Sequence, residues 1–184
     1  MFYEGHLTFW VGNAKQAASY YTSRFGFDYL AYHGLETGER NIARHVVRNH
    51  QGVTFVFCSP YHPDSSAEMN AHLLKHGDGI KDISFVVEDV KGIYDHAIAN
   101  GAVSVQPPTE TSDQDGTAIT ATIRAFGDTT HTFVDLKNYK GPFLPGFKPH
   151  PLKETLNAVL PPLHFIKVDH IVANQPDTEM EPVS

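Results

Sequence analysis

The sequence predicts an α+β fold in which two paired βαβββ modules form one curved mixed sheet, with the truncated start of a further module behind them. Three observations lead there. His6-Leu7-Thr8-Phe9-Trp10-Val11-Gly12-Asn13, Asp82-Ile83-Ser84-Phe85-Val86-Val87-Glu88-Asp89 and Val168-Asp169-His170-Ile171-Val172-Ala173-Asn174-Gln175 can be laid over one another, each opening an apolar strand, with His6, Asp82 and His170 in one slot. After the first two openings the same order of signals follows, strand, helix and three β-rich runs, and an internal repeat of this kind decides the whole fold. Finally the texture changes after residue 140. Pro142, Pro145, Pro149, Pro151, Pro161 and Pro162 fall within 141–165, which suits an extended linker, because proline lacks the N–H that an element interior needs.

The first module begins with a strand near 6–12. Asn13 can cap a helix and Gly26 can end it, and between them Ala14, Ala17, Ala18, Tyr21 and Phe25 share one helical face. β-rich runs follow at Tyr29–Tyr32, Ile42–Arg48 and Val53–Cys58. A polar insert spans roughly Pro60 to Asp78, with a short helix expected over Glu68–Lys75. The second module opens at 82–88 and continues into a helix after Asp89, with Ile93, Tyr94, Ala97 and Ile98 inward and Gly101 at its end. Strands are then expected at Val103–Gln106, Ile119–Ala125 and His131–Leu136, with Gly127-Asp128-Thr129-Thr130 a turn entering the last of them. His164–Asn174 reads as a new strand, and a helix begun at Asp177 or, with Pro182 in its first turn, near Glu181 would be unfinished at Ser184. A lone βα stub has little against which to bury its apolar face, so the last twenty residues are expected to fray or to pack where they can.

The 184 residues, 41% hydrophobic and 19% charged, fit a soluble globular chain with a real core. A net charge of -7 argues against nucleic acid as partner. No apolar run approaches the roughly 18–20 residues that span a bilayer, and the first residues lack the pattern of a secretory signal; the expected location is cytoplasmic. Cys58 is the single cysteine and lies in an apolar run, which rules out a disulfide framework and favours a buried small side chain over a nucleophile. Gly77-Asp78-Gly79 lacks the third glycine and the strand–turn–helix setting of a dinucleotide loop, and no Gly-x-Ser-x-Gly elbow is present.

Five strings carry a resemblance: Thr8 to Ala18, Gly34 to Gly38, Lys75 to Asp82, Gly127 to Thr132 and Asp169 to Asp177. Through them, in order along nearly the whole chain, the sequence resembles the vicinal oxygen chelate, glyoxalase-like architecture and, within it, eukaryotic members of the 4-hydroxyphenylpyruvate dioxygenase family. The resemblance implies a non-haem Fe(II) enzyme, one ion per subunit, that converts 4-hydroxyphenylpyruvate and O2 to homogentisate and CO2 in tyrosine and phenylalanine catabolism, as a homodimer. It implies two domains of two βαβββ modules each, with the iron in the second, held by two histidines and a glutamate. The histidine of the Asp-His-Ile-Val string is the first ligand, here His170; the other two have no counterpart in this sequence. Residues 1–140 are thus expected to be the N-terminal domain (modules at about 6–60 and 79–140), 141–165 the proline-rich linker, and 166–184 the first strand of a truncated catalytic domain, the piece being inactive alone.

Two histidines and a carboxylate suit Fe(II) because they fill three coordination positions and leave three open; a single imidazole defines no such site. Read without the resemblance, a histidine on an apolar strand is more often a core or surface residue than a ligand. Asp169 either orients His170 or sits in solvent, the latter favoured. His6, Asp82 and His131 make a tempting second set, set against the ease with which twelve histidines give chance triplets. Three other readings stay open: 4-hydroxymandelate synthase, a non-enzymatic βαβββ domain for binding or dimerisation, and a single-domain metal enzyme built on His6, Asp82 and His131.

Overall fold

The structure, a computed structural model, describes residues 3–174. Its order is β1 Tyr3–Trp10, α1 Ala14–Phe25, β2 Asp28–His33, β3 Ile42–Arg48, β4 Thr54–Pro60, α2 Ala67–His76, β5 Gly79–Val86, α3 Val90–Ala99, β6 Ser104–Asp113, β7 Gly116–Arg124, β8 Thr130–Tyr139 and the short β9 Lys148–Pro149. The helix starts follow from their caps. Asn13 Oδ1 accepts from the Gln16 N–H at 3.0 Å, and the Ser66 and Asp89 side chains accept from Met69 and Gly92. Gly26 ends α1 at φ 68°, a conformation that a side chain would disfavour. Asn13→Ala is expected to cost about 1 kcal/mol of stability in urea unfolding, because it leaves a first-turn N–H without its acceptor.

The nine strands of the described residues form one sheet in the order β6-β7-β8-β5-β1-β4-β3-β2-β9. Each module contributes the same run, β1-β4-β3-β2 and β5-β8-β7-β6, with parallel β1/β4 and β5/β8 pairs. The modules join through antiparallel β1 and β5, where His6 faces Ser84 and Thr8 faces Asp82. A two-fold exchange of the modules sends His6 onto Asp82 and Thr8 onto Ser84, so these two ladder pairs simply interchange. The repeat read from the sequence is therefore a repeat in space.

Both α1 and α3 lie on one face of the sheet. Ala14 and Ala18 are fully buried against Leu7, Val47, Phe55 and Phe57, with Ala17, Tyr21 and Phe25 packed around them, the face that the sequence predicts. Under α3, Ile93, Tyr94 and Ala97 pack against Phe133 and Ile123, while Ile98 points outward, contrary to the sequence reading. The opposite face of the first module is covered by α2, whose Met69 and Leu73 meet Val46, Val56, Cys58 and Trp10.

Three elements depart from expectation. β6 runs to Asp113 through Pro107 and Pro108, which the sheet tolerates because β6 is its edge and shifts register between Gln106 and Thr109. Residues 141–150 pack as a strap: Phe143 and Phe147 are buried in the α2-covered cluster and β9 pairs with β2, since two phenylalanines and a histidine give this proline-rich stretch an apolar surface to bury. The strand expected over His164–Asn174 is not formed; 161–174 carry no regular structure. An isolated strand needs a ladder partner, and this segment instead packs side chains, Phe165 on Phe25 and Val168 against the α1 cluster. The expected helix at Asp177 or Glu181 lies outside the described residues.

Candidate functional site

His170 stands on the unladdered segment, its side chain 73% exposed. Its Nδ1 lies 2.9 Å from Asp169 Oδ2, so Asp169 both faces solvent and touches the imidazole. The segment reaches this position by crossing the helix-bearing face: Asn49 Nδ2 donates to the Phe165 carbonyl at 2.7 Å, and Val168 anchors beside Leu7 and Ile83. Gly5, Leu7, Phe85, Val168, Asp169 and His170 border a cavity of about 390 Å³ at the β1/β5 seam. What the fold supplies here is a docked peptide carrying one imidazole on the outside of the sheet.

The slot shared by His6 and Asp82 points to the opposite face, and its chemistry differs. The Ser84 hydroxyl accepts from the His6 backbone N–H at 2.8 Å and also hydrogen-bonds His6 Nδ1 at 2.8 Å. Burial, with Arg48 nearby, holds the His6 pKa down at about 4. Burial pushes the Asp82 carboxyl up, opposed by hydrogen bonds from Thr130 at 2.6 Å and Thr132 at 2.8 Å. Thr132 in turn meets Thr122 at 2.9 Å, and Thr120 receives a bond from Gln106. The second module thus presents a ladder of satisfied hydroxyls on the face away from its helix.

His131 does not join that face. It pairs with Ile83 and packs edge-on to Phe85 at 5.4 Å on the helix-bearing side, where its buried Nδ1 has no hydrogen-bond partner among the described residues. Neighbouring strand positions alternate sides, so His6, Asp82 and His131 cannot converge on one ion, and the metal-enzyme reading built on them falls. Cys58 is buried, its thiol pushed up to about 12 by that burial, which suits a core residue and not a nucleophile.

Among the described residues, the three-donor group is one that sequence reasoning missed: His72 and His76 of α2 and Asp128 of the β7–β8 turn, with ligand atoms all within 4.8 Å of one another. His76 Nε2 and Lys75 Nζ reach the same Asp128 oxygen at 2.8 and 2.7 Å, and these two partners hold its carboxyl well below the usual carboxylate range. The signal was present as His72-x-x-x-His76, the first on the helix expected over Glu68–Lys75 and the second just past its end, but Asp128 lies far off in sequence. The β5/β8 pairing brings it near.

Residues 5–136 match the model of the glyoxalase/bleomycin resistance protein/dioxygenase superfamily. The chain belongs to this superfamily. Within the superfamily, it is 55% identical over 177 residues to a protein of Tetrahymena thermophila named 4-hydroxyphenylpyruvate dioxygenase, covering 95% of this chain and 44% of the relative. A Caenorhabditis elegans protein of the same name is 49% identical, with 96% and 44% covered. The chain therefore spans less than half the length of these curated relatives. Among solved structures, a triple mutant of 4-hydroxymandelate synthase from Streptomyces coelicolor superposes with TM-score 0.70 at 28% identity, over 80% of this chain and 41% of that one. Methylmalonyl-CoA epimerase from Mycobacterium tuberculosis, at TM-score 0.58 and 16% identity, covers 72% of this chain and 86% of its own, and shares the fold.

A superfamily dioxygenase implies a metal, and the donors can be tested against one. Around His170 the described residues offer a single imidazole with one exposed carboxylate on its other nitrogen. His72, His76 and Asp128 form their group without it. One imidazole does not satisfy a two-histidine, one-carboxylate iron site, so the described residues by themselves do not fit Fe(II) at His170. No helix among the described residues is long and apolar enough to cross a membrane.

Proposed function

We propose that this chain forms part of a 4-hydroxyphenylpyruvate dioxygenase, an Fe(II)-dependent, cytoplasmic, homodimeric enzyme that converts 4-hydroxyphenylpyruvate and O2 to homogentisate and CO2 in tyrosine and phenylalanine catabolism. Residues 1–140 are its non-catalytic N-terminal domain, 141–165 the link, and 166–184 the lead into the catalytic domain, where His170 is the first iron ligand. The observation that carries this reading is identity at about half of all positions, along nearly the whole chain, with relatives of that name. The Asp169 contact at Nδ1 supports a ligand role through Nε2, since a hydrogen bond to one ring nitrogen leaves the other for a metal. The fold also serves 4-hydroxymandelate synthase, but the 28% identity to that structure favours it less.

Two experiments test the reading. The purified chain with Fe(II), substrate and oxygen should consume no oxygen; turnover would mean that the chain carries a complete site. Joined to the remaining part of the Tetrahymena thermophila relative, the chain should restore homogentisate formation. Hydroxymandelate as product would move the assignment to the synthase, and a folded, iron-loaded chimera without turnover would count against the family reading.

A further inference from the structure

The group on α2 lies apart from His170. His72 and His76 are four residues apart on a helix, which stacks both rings on one face; their centroids are 4.6 Å apart. Two histidines at this spacing are how a helix presents two ligands to zinc. Asp128 supplies the third donor from the β7–β8 turn, 2.8 Å from His76. His72 is held from behind, its ring edge-on to Trp10 at 5.0 Å, and Lys81 Nζ lies 4.8 Å over the Trp10 ring. The group borders a cavity of about 820 Å³ formed with Gly79, Phe126 and Ile171, which leaves room for water on the remaining coordination positions.

We propose that His72, His76 and Asp128 bind a divalent transition-metal ion of the zinc class, and that the ion fastens α2 to the β7–β8 turn. Two imidazoles and one carboxylate suit zinc, cobalt, nickel or copper; calcium and magnesium require more oxygen donors than the group holds. The residues between the histidines, Leu73, Leu74 and Lys75, include no carboxylate, so the group has ligands but no adjacent general base, and its role is binding without hydrolysis. Two lysines oppose the ion. Lys75 Nζ occupies the Asp128 oxygen at 2.7 Å, and Lys81 Nζ donates to the Asp128 carbonyl. Lys75 is 68% exposed on a flexible stem and can turn into solvent when a cation takes its place. The ion would then link an element of the inter-module insert to the second module, a join the sheet itself makes only through β1 and β5.

The test is titration of the metal-free chain with Co²⁺, followed by its visible absorption, and with Zn²⁺ by calorimetry. One ion per chain is expected. His72→Gln and His76→Gln should each weaken it by at least about tenfold, and Asp128→Asn should weaken it as well. Lys75→Gln should strengthen binding several-fold, because it removes the competing ammonium while leaving every ligand in place. Circular dichroism of each variant separates ligand loss from misfolding, and the half-exposed positions make misfolding avoidable. No stoichiometric binding, binding indifferent to His72→Gln and His76→Gln, binding abolished instead by His170→Gln, or weaker binding in Lys75→Gln would each overturn the proposal.

Discussion

His170→Ala in a chimera of this chain with the remainder of a full-length relative is expected to lower iron content and homogentisate formation together, by more than about 100-fold. Loss of a residue that merely orients a ligand already costs some 10–100-fold in metal affinity or activity, and removal of the ligand itself exceeds that. The stability of the N-terminal part should not change, because the His170 side chain is mostly exposed and hydrogen-bonds Asp169, itself exposed. Asp169→Asn should give a smaller deficit of the 10–100-fold kind, since the amide still reaches Nδ1 but no longer favours one tautomer. Iron retained at one per subunit in His170→Ala, with turnover intact, would remove His170 from the site and leave the shared slot of the three module openings as a packing coincidence.

That slot shows how much of the molecule was legible from sequence. The repeat was legible because each module opens with the same apolar strand and an Asx-capped helix, Asn13 in one and Asp89 in the other, and caps and strand patterns are local. Burial along α1 followed from its five apolar positions for the same reason. The slot did not reveal which way its residues point. His6 and Asp82 face away from α1 and α3, and His131, one strand over, faces toward them; a one-residue difference in ladder position decides the face. Nor could local patterns show that the proline-rich stretch would pack, since Phe143 and Phe147 find their partners nearly a hundred residues earlier, at Val46 and Val56. The His72, His76 and Asp128 group was hidden likewise, with two donors on one short helix and the third delivered by strand pairing.

The strap also sets the largest expected change in stability, an acid one. His150 follows β9 and is buried against Tyr29, with ring centroids 4.4 Å apart. The Leu152 N–H donates to His150 Nδ1 at 3.0 Å, so the ring proton sits on Nε2 and is donated to His45 Nδ1, 2.8 Å away. Both rings are neutral in this arrangement, and a proton added at either accepting nitrogen displaces a hydrogen bond. Burial, reinforced at His45 by His150 and Lys15 and opposed by Glu36, holds both pKa values at about 4. The sign follows directly. Between the unfolded value of 6.5 and the folded value near 4, the unfolded chain binds more protons than the folded one, so stability falls as pH falls through that window and is flat above it. At face value two groups displaced this far would couple roughly 7 kcal/mol to folding; solvent reaches both rings and screens them, which leaves on the order of 4 kcal/mol, a large share of the roughly 5–15 kcal/mol that a domain has. His6, held at about 4 by its own burial, adds to the same window, so urea midpoints should drop steadily from pH 6.5 to 4.5 and the pair accounts for the part of the slope that His150 substitutions remove. His150→Phe keeps the stack on Tyr29 but leaves the Leu152 N–H and His45 Nδ1 unpaired, so it should cost about 1–3 kcal/mol at pH 7 while reducing the acid slope. His150→Ala should cost more at pH 7, because it also loses the packing. A midpoint that stays level from pH 7 to 5, or a His150→Phe variant with the full slope, would show that the pair does not set the acid response.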